Sequence, residues 1–331
     1  MQNKLILLIV LFTSNYLFGQ VDPHFSQYYV YPSYLNPALT GAFNGSVRVS
    51  GIYRTQWGSI SNPFDTKGLS TDISTNKNIN IGFGLLNQTA GNGGYSYSTG
   101  HLNLAYTGVK FGAEDFGRLV FGVQAGAIDR RFNRNKLTFG DQWNPVTGYS
   151  ASNPTTEVLL NNSSTALDLG AGLLYYDANP SHAVNFYFGG SVSHLSKPKD
   201  NFSSLGDKVL PYRFIGHLGA RLALSPRFSI TPNALYLSQG NSKEIMVGAF
   251  MDIAASEQNH LLLGANYRLN DAISPFLALT FNTTLLSFSY DVNNSDLGRK
   301  VTGTNAIEIS LSFFKPKKIK TPDLDFVCPR L

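Results

Sequence analysis

From residue 46 to residue 314 the chain alternates apolar residues with polar or small ones at a period of two, and no long stretch keeps a helical period. Val47, Val49 and Tyr53 oppose Arg48, Ser50 and Arg54. Ile79, Ile81, Phe83 and Leu85 oppose Asn80, Gly82 and Gly84. Phe214, Leu218, Ala220, Leu222 and Leu224 oppose Arg213, His217, Gly219 and Arg221. The pattern predicts about 14 strands, over 46–54, 64–74, 79–87, 97–107, 118–128, 165–176, 183–194, 211–224, 227–237, 243–253, 259–269, 272–281, 284–292 and 304–314. A tilted strand crosses a bilayer with roughly 9–11 residues, so each run is long enough.

Two folds accommodate such a face. A soluble sandwich buries it in a core about 10 Å thick. An outer-membrane barrel turns it toward lipid and keeps the polar parity inside. The connections separate the two readings. With the first strand leaving the periplasm, the segments 55–63, 88–96, 129–164, 195–210 and 293–303 fall on one side. The short turns Thr75–Asn78, Ser225-Pro226 and Asn282-Thr283 fall on the other, although two outer connections, near Gln239 and near Asn270, are short as well. Long loops outside and short turns inside characterise outer-membrane barrels, and an even strand count returns both termini to the periplasm. The predicted fold is therefore all-β: a transmembrane antiparallel β-barrel over 46–314.

Composition moves the reading the same way. Charged residues are 14% of the chain, against about 25% for a typical soluble domain. A charge facing the bilayer midplane costs roughly 2–4 kcal/mol. The amino end adds a cationic Lys4, an apolar run from Leu5 to Phe12, and Gly19 as a small residue at a cleavage point. Residues 1–19 are thus predicted to be a secretory signal peptide, too short to anchor the protein. No Cys follows that point, so no lipoprotein anchor is expected there. Residues 20–45, rich in Tyr and Pro, are predicted to cap or plug the periplasmic mouth. Residues 315–331 form a basic tail containing Lys315, Lys317, Lys318 and Lys320. It is either a solvated end or a contact for an acidic partner or anionic headgroups. The single cysteine, Cys328, has no internal disulfide partner.

Chemistry is sparse. The histidines His24, His101, His182, His194, His217 and His260 have no metal-ligand spacing, and no nucleophile elbow is present. No catalytic residue, metal, cofactor or nucleic-acid partner is expected. Arg48, Arg54, Arg213, Arg221 and Arg268 share the inward parity with Asp168, Asp252 and Glu308. Such charges either pair and fill a lumen or line a conduction path. The loop 129–164 carries Arg130, Arg131, Phe132 and Trp143, more than a turn requires. It is a candidate extracellular protein contact or a self-packed lid.

The start Val21-Asp22-Pro23-His24-Phe25-Ser26-Gln27-Tyr28, continuing through Tyr34-Leu35-Asn36-Pro37-Ala38 to Gly41, resembles the opening of PorP/SprF proteins of the type IX secretion system. Tyr53-Arg54-Thr55-Gln56-Trp57, Asn62-Pro63, Glu308-Ile309-Ser310-Leu311 and the closing Cys328-Pro329-Arg330-Leu331 extend the resemblance over the mature chain. It implies a non-enzymatic outer-membrane component of the secretion and gliding machinery. Such a component binds a secreted adhesin or periplasmic machine subunits. On this reading Gln56 and Trp57 are a docking element or Trp57 an interfacial girdle residue. Lys317, Lys318 and Cys328 would face the periplasmic machine, and Cys328 is a candidate for a disulfide with a partner. Asn36-Pro37-Ala38 is also similar to the hatch motif of long-chain fatty-acid transporters. That likeness supports a plug and supplies a second function, outer-membrane uptake of hydrophobic small molecules.

Overall fold

The computed structural model describes residues 22–316 except 60, 61, 76, 92, 93, 113, 114, 157–160, 201, 203–207 and 257. Fourteen strands close into one antiparallel barrel. In chain order they are β1 (Val47–Gln56), β2 (Phe64–Ile73), β3 (Ile79–Ala90), β4 (Tyr95–Phe111), β5 (Gly117–Arg131), β6 (Ser163–Asp177) and β7 (Val184–Ser193). There follow β8 (Arg213–Ser225), β9 (Phe228–Gln239), β10 (Ser242–Ala254), β11 (His260–Arg268), β12 (Ala272–Phe281), β13 (Thr284–Asn293) and β14 (Ala306–Lys315). Each strand pairs with its neighbours in sequence. The seam between β1 and β14 runs from Val47 opposite Lys315 to Gln56 opposite Ala306.

The apolar parity faces outward. Leu102, Leu104, Phe186, Leu218 and Phe313 are all half or more exposed, while Arg48, Arg54, Arg213, Arg268 and Glu308 on the other parity are buried. A closed wall satisfies every backbone group internally, which is the condition for crossing a bilayer with strands. Among the described residues no helix is long and apolar enough to cross one.

The ladder is irregular between Tyr106 and Val109 and between Ala223 and Ser225, and it has two further breaks at proline. Between β8 and β9 it skips Ala220 and Arg221 opposite Thr231 and Pro232. Between β12 and β13 it skips Ser274 and Pro275. Proline has no N–H to donate, so a paired strand loses a rung there.

Several strands overrun the predicted limits, and three of them are the longest in the wall. β4, β5 and β6 carry 17, 15 and 15 residues. Arg130 and Arg131, expected in a loop, therefore lie at the end of β5. The long connections are 132–162 and 194–212, and each contains a two-residue ladder: Trp143–Asn144 with Gly148–Tyr149, and Lys199–Asp200 with Lys208–Val209.

Residues 22–45 lie inside the wall as short helical turns at Tyr28–Val30, Pro32–Leu35 and Pro37–Leu39. The segment starts at the long-loop end, where Asp22 bonds to His194 just past β7. It finishes at the short-turn end, where Phe43 packs on Phe314 and Ser46 N–H donates to the Lys315 carbonyl. A cap confined to the periplasmic mouth would have stayed at that second end. The difference has a physical source: acceptors and donors for this segment are spread along the whole inner face.

Candidate functional site

Inward side chains and residues 22–45 meet in an apolar cluster, with Ile215, Leu235, Met246 and Phe276 against Tyr28, Tyr29 and Leu35, and in a polar network. The centre of the network joins three stretches that are far apart in sequence. Glu308 on β14 is fully buried and accepts the backbone N–H of Ser26 at 2.6 Å and of Gln27 at 2.8 Å, one on each carboxylate oxygen. Arg54 on β1, directly opposite Glu308 in the seam, donates through Nη1 to Glu308 at 2.5 Å and to Asp291 at 2.9 Å. Arg268 on β11 donates to the same Asp291 oxygen at 2.8 Å, to Ser26 Oγ at 2.5 Å and to Asp271 at 2.7 Å.

Gln56, a candidate docking residue, is buried: its side-chain oxygen accepts from Arg54 Nε and Nη2 at 3.0 and 2.9 Å. Its inward parity on β1 puts it there. The charged lumen residues thus pair with one another and with the segment, the first of the two outcomes considered for them. Charge-assisted hydrogen bonds of this kind are roughly twice as strong as neutral ones, and buried ions persist only when so satisfied.

Toward the loop end a second group holds the start of the segment. His194 Nε2 lies 2.8 Å from Asp22 and Nδ1 lies 3.0 Å from Asp168 on β6, with Arg213 3.9 Å from Asp22. Between these groups, Tyr34, Tyr97 and His101 there is room for about one water molecule. Burial disfavours the imidazolium, but hydrogen bonds and charge from Asp168 and Asp22 outweigh it and raise His194 to about 9. Burial likewise opposes the Asp22 carboxylate, and His194, Arg213 and Arg130 overcome it, lowering Asp22 to about 2.

The sign of the pH dependence follows. The raised His194 contributes stability that is complete below pH 6.5 and is lost as the pH climbs through about 9. The depressed Asp22 contributes above pH 3.8 and is lost as the pH falls through about 2. The heat-unfolding temperature of the wild-type barrel should fall between pH 6.5 and pH 9, by a contribution on the order of 3 kcal/mol. A His194→Gln barrel should start lower and stay flat over that interval. A wild-type profile as flat as the variant's would contradict this role of the His194 contacts.

Midway along the lumen sits Asn36-Pro37-Ala38, placed as a turn by sequence and found as one. Pro37 takes the first position of its helical turn, where no N–H is needed. The Asn36 side-chain oxygen accepts from Ala38 N–H at 2.9 Å, and Nδ2 reaches the carbonyls of Leu173 at 3.0 Å and Gly190 at 3.3 Å. His217 Nε2 is 3.1 Å from the same nitrogen. The seat exists because the wall omits side chains. A Cβ on Gly122 would overlap the Ala38 backbone nitrogen, and one on Gly172 would overlap Asn36 Oδ1.

The remaining candidates are dispersed. Arg130 is half-buried with its guanidinium 5.7 Å from the Tyr97 ring, and Arg131 is exposed and bonded to Asp129 at 2.6 Å. Phe132 packs between Tyr95 and Phe202 at 5.1 and 5.0 Å. Trp57 is half-buried, with its ring 5.0 Å from Phe64. Trp143 is 58% exposed, beside Val146 at 90%. Lys317, Lys318 and Cys328 lie outside the described residues. Sequence reasoning placed Glu308 and Asp168 only on the inward parity. It missed Asp22 and His194 as partners, and only the inward parity of Asp168 signalled that contact.

Among solved structures, the toluene transporter TbuX of Ralstonia pickettii aligns at 10% identity over 84% of this chain and 90% of its own, with a TM-score of 0.47. The toluene transporter TodX of P. putida aligns at 10% over 85% and 92%, also with a TM-score of 0.47. The KdgM porin in complex with oligogalacturonate aligns at 7% over 80% and 98%, with a TM-score of 0.38. No curated protein sequence matches. The model of the type IX secretion system membrane protein PorP/SprF matches residues 17–313. With that match and a closed barrel of lipid-facing strands, the chain belongs to the PorP/SprF family of type IX secretion, as an outer-membrane β-barrel.

Proposed function

We propose that this barrel is a non-enzymatic platform of the secretion machinery. Its long-loop end holds an exported adhesin-type protein and its basic tail meets periplasmic subunits. The observation that carries this reading is the build of the 132–162 loop. Asp141 accepts from Thr155 Oγ1 at 2.9 Å and from Thr156 N–H at 2.7 Å. The buried Gln142 bonds to the Asn153 carbonyl at 3.0 Å, and Ser150 N–H returns to the Gln142 carbonyl at 3.1 Å. The loop is thus internally braced, yet it presents Trp143, Val146 and Tyr149 to solvent. Exposed apolar groups on a braced loop are what a protein contact uses.

Residues 22–45 act as an internal plug on this reading, so the work is done at the barrel's two ends. The lumen's buried Arg, Asp and Glu and its apolar cluster of Ile215, Leu235, Met246 and Phe276 are both engaged by residues 22–45, which ranks transport second. Replacing Trp143–Tyr149 by a Gly/Ser linker should leave the barrel in the outer membrane. It should reduce at least tenfold the adhesin co-purified from detergent-solubilised membranes (about 1.4 kcal/mol or more). Undiminished recovery would remove this loop as the contact.

A further inference from the structure

We propose that the Ser26–Gln27 dipeptide is the clasp of the barrel: it holds the first and last strands together from inside. Thirteen of the neighbouring strand pairs are also joined by a turn or loop, whereas β1 and β14 meet with no chain connection between them. Closing that contact carries the loop entropy of nearly the whole barrel. The dipeptide sits astride it. On the β14 side, Glu308 takes both amide N–H groups, Ser310 Oγ donates to Gln27 Oε1 at 2.9 Å, and Gln27 Nε2 reaches the Glu308 carbonyl at 3.3 Å. On the β1 side, Arg54 Nη1 donates to Ser26 Oγ at 3.0 Å. Next to β14, Ser26 Oγ donates to Asp291 at 2.7 Å and Gln27 Nε2 to Ser289 Oγ at 3.0 Å, both on β13. Ser26 and Gln27 are 1% and 0% exposed, so none of these bonds is shared with water.

The Glu308 carboxylate therefore faces Arg54 across the seam and takes its other two hydrogen bonds from the amino-terminal segment. Without the segment, the seam would close on a carboxylate that keeps one partner in place of three.

The test alters the clasp and leaves the seam residues untouched. In the full-length protein, Ser26→Ala/Gln27→Ala should raise amide hydrogen exchange at least tenfold in β1 and β14. Exchange in β9 and β10, which a two-residue turn joins and which Ser26 and Gln27 do not reach among the described hydrogen bonds, should change less than threefold. Gln27→Ala alone should show the same pattern more weakly, which covers failure of the double variant to fold. Unchanged exchange, or an equal rise around the wall, would overturn the clasp.

A cross-link gives the second readout. In a Cys328→Ser background, Gly51→Cys/Leu311→Cys lie directly opposite across the seam, and Tyr236→Cys/Ile245→Cys lie opposite across β9 and β10. The oxidised seam pair should return the clasp variant to wild-type exchange in β1 and β14, and the control pair should not. Equal rescue by both, or rescue by neither, would also overturn the proposal.

Discussion

Replacing Arg54 by methionine should cost about 3–5 kcal/mol of barrel stability, because the change leaves two buried carboxylates without their shared cation. Arg54 contacts both Glu308 and Asp291 while its own side chain is 4% exposed. Arg268 still reaches Asp291 at 2.8 Å but makes no contact with Glu308 among the described interactions. Removing both members of the seam pair, as Arg54→Met/Glu308→Met, should recover only part of the loss. A simple ion pair exchanged for apolar groups is often neutral, but here Ser26 and Gln27 would keep two buried N–H groups without an acceptor, at about 1–3 kcal/mol each. The measurement is the temperature at which the compact band of an unheated gel sample converts to the unfolded one. Full recovery in the double variant would mean that the amide contacts contribute nothing.

Gly122→Ala should dislodge the middle of the internal segment. The added methyl meets main chain, the nitrogen of Ala38, and main chain cannot swing aside as a flexible side chain would. Overpacking costs typically 1–3 kcal/mol when side chains absorb it, and this site has none to absorb it. Gly216→Ala is the control, since nothing lies within 4 Å of a Cβ built there. Ser33, 1% exposed, reports the outcome: as Ser33→Cys in a Cys328→Ser background it should resist a thiol reagent in the parent and in Gly216→Ala. It should react at least tenfold faster in Gly122→Ala. Equal labelling in the three proteins would show that the segment tolerates the wedge.

Alternation made the strands legible because lipid on one face and polar contacts on the other impose opposite chemistry on successive residues. Phe186 and Phe188 against Asn185 show that rule at work. Where β5 and β6 pass beyond the apolar zone, Asp129, Arg130, Ser164 and Thr165 go on pairing with no hydrophobic contrast to announce it. Asn36-Pro37 was readable as a turn since proline fixes its own φ and the asparagine side chain caps locally.

The polar node was readable only in halves. Arg54 and Glu308 stood on the inward parity, but 254 positions separate them and neither names its partner. The Ser26–Gln27 side of the contact lies in a segment with no period. The strand glycines show the same limit: Gly82 and Gly84 stand out in the sequence, yet their purpose is legible only once Thr40 and Tyr31 are seen against them.

The two proline breaks divide the wall mechanically. Strands β9 to β12, bounded by Pro232 on one edge and Pro275 on the other, form a stiff plate whose internal ladders are unbroken. The other ten strands, whose own ladder is irregular between β4 and β5, join this plate through two ladders that each lack two consecutive rungs. Bending of the barrel should therefore be easiest at those local gaps. The lumen would change its cross-section by flexing there, as a box does at its creases, while the plate of β9 to β12 keeps its shape.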